Sequence, residues 1–97
     1  MERVSKDITA QNQFSDAMQV FGTCLFLTKD TSSMIMTATL QVSMDGSTWF
    51  STGTTLTATG VAYLAEGCGL WYRVGVATGD FTSGTATVYL VKPGRIN

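Results

Sequence analysis

The 97-residue chain contains no histidine, one proline, two cysteines and only 13% charged residues, and each shortage narrows what it can do. Without imidazole it lacks the commonest general base and the commonest metal ligand. A thiol at Cys24 or Cys68 has no histidine to deprotonate it, which argues against thiol catalysis. Two cysteines are also too few for a disulfide framework or, with no histidine, for a structural zinc site. They stay open between two readings: small apolar side chains in a core, or a pair bridging facing strands. No glycine-rich phosphate loop is present. No apolar run approaches the roughly 20 residues of a membrane span, and Met1 to Asp7 has no hydrophobic stretch behind its charges, so neither anchor nor secretion signal is expected. The formal net charge of −1 offers no basic stripe to displace counterions from phosphates, so no nucleic-acid partner is expected.

What the chain does have is apolar surface with little charge to cover it. Hydrophobic residues make up 44% of the sequence, while charged residues reach only half of the usual share of about 25%. A small domain exposes many of its residues, so this balance fits an exterior partly covered by neighbours in an assembly. The plainer reading is a neutral β surface coated with threonine.

The patterning is that of short strands. Leu40 to Trp49, Leu-Gln-Val-Ser-Met-Asp-Gly-Ser-Thr-Trp, runs an alternating strand into an Asp45-Gly46 turn and out on an aromatic, a strong hairpin signal. Upstream, Met34, Met36, Ala38, Leu40 and Val42 alternate with Thr37, Thr39, Gln41 and Ser43, which predicts one strand over 34–43. Between Met18 and Thr28 both faces are apolar, with Met18, Val20, Cys24 and Phe26 set against Phe21, Leu25 and Leu27; one face is expected to meet the core and the other a partner. Lys29 to Ser33 reads as a polar turn, residues 51–60 as a short edge strand or ordered loop, and Val61 to Ala65 as a brief strand. A turn at Glu66 to Gly69 then leads to a strand at Leu70 to Ala77. Thr78 to Gly84 reads as a hairpin connection to a strand at Thr85 to Val91 with Ala86, Val88 and Leu90 inward, and Pro93-Gly94 ends it. Residues 1–17 lack helical rhythm and form an arm, with an edge strand at Ser5 to Thr9, a bend at Gln11 to Gln13 and Phe14 as anchor. The arm either crosses to a neighbouring subunit or folds on its own domain.

These elements predict one all-β domain over residues 1–97: an antiparallel β-sandwich, jelly-roll-like, of seven or eight short strands. It has an N-terminal arm or edge strand at 1–17, the sandwich at 18–91 and a tail at 92–97.

Side chains that carry chemistry are scattered. The seven acidic residues fall mostly in predicted turns, where an Asx side chain bonding its own backbone explains Asp30, Asp45 and Asp80. A calcium site on Asp45 and Asp80 would need several more oxygen ligands. Arg73, mid-strand, would need a partner if buried, and an ion pair with Asp80 is the favoured one, with Asp16 as the other choice. Trp49, Phe50, Trp71, Tyr72 and Tyr89 are either core or an aromatic platform for sugar. No catalytic residue, metal or cofactor is expected.

Leu40 to Trp49, taken with Tyr72 to Thr85 (Tyr-Arg-Val-Gly-Val-Ala-Thr-Gly-Asp-Phe-Thr-Ser-Gly-Thr), resembles small β-sandwich virion proteins of tailed bacteriophages, capsid decoration or cement proteins above all. The resemblance covers residues 40–91, and its first motif also occurs in discoidin-type carbohydrate-binding sandwiches. It implies a non-enzymatic structural protein, made in the host cytoplasm and carried on the capsid exterior, that clamps the major capsid protein lattice as a homo-oligomer, dimer or trimer. The alternative is a carbohydrate-binding module of a tail or fibre. For the cement reading, Arg3, Val4, Ile8, Phe14, Lys92, Arg95 and Ile96 are the candidate subunit and capsid contacts. Removal of residues 1–13 is then expected to abolish capsid binding and leave the sandwich folded.

Overall fold

The computed structural model describes residues 2–92, and for residue 2 and residues 63–68 the backbone alone. It is all-β. Among the described residues seven strands follow in order: β1 (Glu2–Ile8), β2 (Gln13–Phe14), β3 (Met18–Met36), β4 (Ala38–Ser43), β5 (Phe50–Leu56), β6 (Gly60–Val76) and β7 (Phe81–Lys92). Pairing is antiparallel throughout, in the lateral order β1-β7-β3-β6-β4-β5, with β2 on β6.

The sheet must curl, because residues from its distant strands share one core. Ile8 of β1 and Leu40 of β4 are both fully buried in the same cluster as Phe26, Val74, Val88 and Leu90. The result is a sandwich with extents of 41 × 29 × 19 Å, and the thin dimension holds two layers spaced about 10 Å apart. The long strand β3 joins the layers, pairing with β6 over Met18–Thr28 and with β7 over Leu25–Met36.

Alternation is obeyed where the sequence shows it. Met18, Val20, Cys24 and Phe26 point inward from β3, Tyr72, Val74 and Val76 from β6, and Ala86, Val88 and Leu90 from β7. Burial of Cys24 pushes its thiol up to about 11, so it is a neutral, apolar core group near neutral pH. It is a free thiol, and in register it faces Leu64, while Cys68 faces Phe21.

Four expectations about connections change, and of the two courses open to the arm the structure takes one. The arm folds on its own domain: β1 pairs with β7 from Glu2↔Lys92 to Ile8↔Ala86 and covers one sheet edge. Lys29 to Ser33 is no turn but a bulged stretch of β3, with register shifts between Asp30 and Ser32 and again before Ile35, and Ser33 at φ 45°. Polar, exposed side chains there mimic a turn, although the backbone stays in the ladder with β7. The alternating run 34–43 divides at Thr37, where the chain leaves β7 and begins to pair with β6; Thr37 N donates to Asp80 O at 2.8 Å at this corner. Glu66 to Gly69 continues β6 past register shifts opposite Phe21 and Gly22. Thr78 to Gly84 is not a hairpin, because β3 lies between β6 and β7, and the turn carries the chain from one layer to the other. Local turn chemistry looks the same for a hairpin and a crossover.

Candidate docking surface

Outward-facing positions of β3, β6 and β7 line up across the sheet. Leu27 is opposite Val61 on one side and Tyr89 on the other, and Leu25 is opposite Val91. Period-2 geometry then puts these side chains in adjacent rows on the outer face. Val61 is 50% exposed and Leu27 and Tyr89 half-buried, around a shallow groove of about 470 Å³ completed by Thr28, Lys29, Thr59 and Gly60. Further along β3, Phe21 is 67% exposed beside Gly69. The two apolar faces of Met18 to Thr28 are therefore in different surroundings. One face fills the core and the other lies open.

A second cluster sits where β4, β6 and β2 meet. Gly75 of β6 pairs with Thr39 of β4 on one side and with Phe14 of β2 on the other. A side chain at Gly75 would meet the Gln13 carbonyl and come within 2.6 Å of the Phe14 Cα, so glycine permits β2 to lie this close. Ser15 fastens the approach, its N–H donating to Val74 O at 2.8 Å and its hydroxyl accepting from Val74 N at 3.1 Å. Phe14 is thereby held with its ring centroid 3.9 Å from the Arg73 guanidinium carbon.

The loop between β4 and β5 brings the other ring. It is wider than the two-residue turn the Asp45-Gly46 pair suggests, since β5 begins only at Phe50, opposite Val42. Ser43 is 1% exposed and its Oγ accepts from Asp45 N at 3.2 Å and Gly46 N at 2.8 Å. The Asp45 carboxylate accepts from Ser47 N at 2.8 Å, Thr48 N at 3.0 Å and the Ser43 hydroxyl at 3.0 Å. The Thr48 and Ser47 N–H groups and the Ser43 hydroxyl hold the Asp45 carboxyl below its ordinary range. So braced, the loop sets Trp49 with its ring centroid 4.4 Å from the Arg73 carbon.

Arg73 therefore pairs differently from expectation. Its Nε donates to Gln41 Oε1 at 2.9 Å, across the β4–β6 ladder, and two rings flank the guanidinium. Asp80 is remote in role: it sits in the crossover turn, with its backbone bonded to Ala77 and Thr37. Burial lowers the Arg73 pKa, without bringing a guanidinium near neutrality.

The other expected contacts divide. Ile8 is corrected outright: it is fully buried in the chain's own core and cannot reach a neighbour. Val4 packs half-buried against the same core. Arg3 is exposed on β1, opposite Val91, Phe14 is half-buried over Arg73, and Lys92 is half-buried at the end of β7. Arg95 and Ile96 lie outside the described residues. Of the aromatic platform, Tyr72 is core and the Trp49 ring lies against Arg73, which leaves Phe50, Trp71 and Tyr89 with open surface. Gln41 as the Arg73 partner and Val61 and Tyr89 as neighbours of Leu27 depend on strand register, for which single-strand periodicity carries no signal.

No protein-family model matches the chain, and no curated protein matches it. Among solved structures it is similar to the Yersinia pseudotuberculosis-derived mitogen, with a TM-score of 0.61 and 10% identity, over 99% of this chain and 88% of that one. At that identity the likeness is one of fold. It supports the antiparallel all-β architecture, and it is a bacterial mitogen, so it lends no support to the resemblance to phage decoration proteins.

Proposed function

We propose that this chain is a non-enzymatic structural binding domain, a capsid decoration or cement subunit that seats its outer β3–β6–β7 face on the major capsid protein lattice of a tailed phage. The observation that carries the reading is the outward row Val61–Leu27–Tyr89 with Phe21 beyond it, apolar side chains at positions where a sheet facing water would carry polar ones. The molecule's two longer extents, 41 and 29 Å, leave room for a standard interface of about 800 Å² per partner on its broad side. On a repeating shell, modest contacts of this kind act together through avidity, which suits a domain with few charges to steer or orient it. The carbohydrate alternative loses support because Tyr72 is in the core and Trp49 is engaged by Arg73. The activity named for the mitogen belongs to that protein, and a likeness of fold at 10% identity does not bring it here.

The test is co-sedimentation of the purified chain with shells of the cognate capsid lacking it. Changing Phe21→Ser together with Val61→Ser should weaken binding by about tenfold or more, the equivalent of about 1.4 kcal/mol. The melting temperature should stay within a few degrees, because both positions are solvent-exposed. Unchanged shell binding by the folded double variant would contradict the assignment.

A further inference from the structure

Arg73 has more donors than partners. A guanidinium carries five N–H groups, and the one hydrogen bond Arg73 makes among the described residues is Nε to Gln41 Oε1 at 2.9 Å. No carboxylate among those residues forms an ion pair with it. Asp45, four residues before Trp49, spends its own oxygens on Ser43, Ser47 and Thr48. The Phe14 and Trp49 ring centroids lie 3.9 and 4.4 Å from the guanidinium carbon, and among the described residues no hydrogen bond is made to Nη1 or Nη2. The Arg73 Nη atoms are not among the buried polar atoms without a partner, so in the free chain they are open to water and equally open to a ligand.

We propose that the Phe14–Arg73–Trp49 cluster is a receptor for a carboxylate, supplied by an acidic side chain of a protein partner. The geometry selects the ligand. Nε is taken by Gln41, so Nη1 and Nη2 remain as a parallel pair of donors, matched in spacing by the two oxygens of a carboxylate. The cluster is also pre-organised: Gly75 and Ser15 fix Phe14, the Ser43–Asp45 network fixes Trp49, and Gln41 fixes the guanidinium, so little ordering remains to be done on binding. The inference rests on the docking proposal only for the source of the carboxylate. Binding of the group itself stands on the cluster alone.

The experiment titrates the ¹⁵N-labelled full chain with sodium acetate, with sodium chloride at matched ionic strength as reference, and follows the Arg73 Nε–H and Trp49 indole signals with the Trp71 indole as internal control. Acetate should produce saturable shifts at Arg73 and Trp49 that chloride does not. Arg73→Gln should lose them and Arg73→Lys, which keeps charge but not the paired donors, should bind at least tenfold more weakly. If Arg73→Gln does not fold, Arg73→Lys carries the comparison. An amidated peptide bearing one glutamate should bind better than a peptide whose only carboxylate is its C-terminus; the reverse order would overturn the side-chain source. No acetate response, an equal one in Arg73→Gln, or a stronger response to inorganic phosphate would overturn the receptor. Failure here with shell binding intact leaves the docking face standing, and an acetate response in a chain that ignores shells rejects the docking face alone.

Discussion

Deleting residues 1–13 is expected to unfold the domain, not merely to detach it from a partner. The segment includes all of β1, which supplies the whole second ladder of β7, from Glu2↔Lys92 to Ile8↔Ala86. It also includes Ile8, fully buried in the cluster that holds Val88 and Leu90. Emptying an isoleucine site alone costs about 2–5 kcal/mol, a large part of the roughly 5–15 kcal/mol that holds a domain of this kind together. The truncation adds the loss of Val4 packing and bares β7 as a new edge, which invites edge-to-edge association. Circular dichroism should show no cooperative melt above room temperature for the truncated chain, and sedimentation should show aggregates. A truncated protein that melts within a few degrees of the full chain would mean that β1 is a dispensable arm.

Gly84→Ala should cost nearly as much through the backbone. Gly84 sits in β7 at φ +84°, and a Cβ there would meet the Ser33 carbonyl oxygen and come within 2.6 Å of the Ser32 carbonyl oxygen, both on the bulged stretch of β3. The left-handed conformation costs a non-glycine residue about 1–2 kcal/mol, and forcing a methyl against neighbouring backbone about 1–3 kcal/mol. Neither carbonyl is a flexible side-chain tip that can swing aside. Since about 1 kcal/mol moves the melting temperature of a domain this size by roughly 4–8 °C, the expected fall is about 8–40 °C. Gly79→Ala is the control: its φ is +93° but nothing lies within 4 Å, so only the conformational part applies. Equal melting temperatures for the two variants would show that β3 and β7 do not approach as described.

The two glycines illustrate what was legible in the chain and what was not. Which side of each strand faces the core was readable at Met18–Phe26, Tyr72–Val76 and Ala86–Leu90, because alternation in one strand records burial directly. The outward apolar set Phe21, Leu25 and Leu27 was readable for the same reason. Connectivity was not. Thr78 to Gly84 has the composition of a hairpin, yet β3 separates the strands it joins. Lys29 to Ser33 has the composition of a turn, yet it stays in the sheet as a bulge. Both outcomes depend on which strands are neighbours, a long-range choice that local residues do not encode. The Arg73 cluster was half legible: a mid-strand arginine demanded a partner, but Gln41, Phe14 and Trp49 meet it only through the pairing of β6 with β4 and β2. Asp80, closer in sequence, was the more visible choice.

That the outer β3–β6–β7 face serves as an interface can be checked most directly by a reconstruction of the assembled particle by electron cryo-microscopy, at a resolution that shows side chains. The account predicts density for this domain on the shell, with Phe21, Leu27 and Val61 turned toward major capsid subunits and covered. A particle without the domain, or with those three side chains facing solvent, would contradict it.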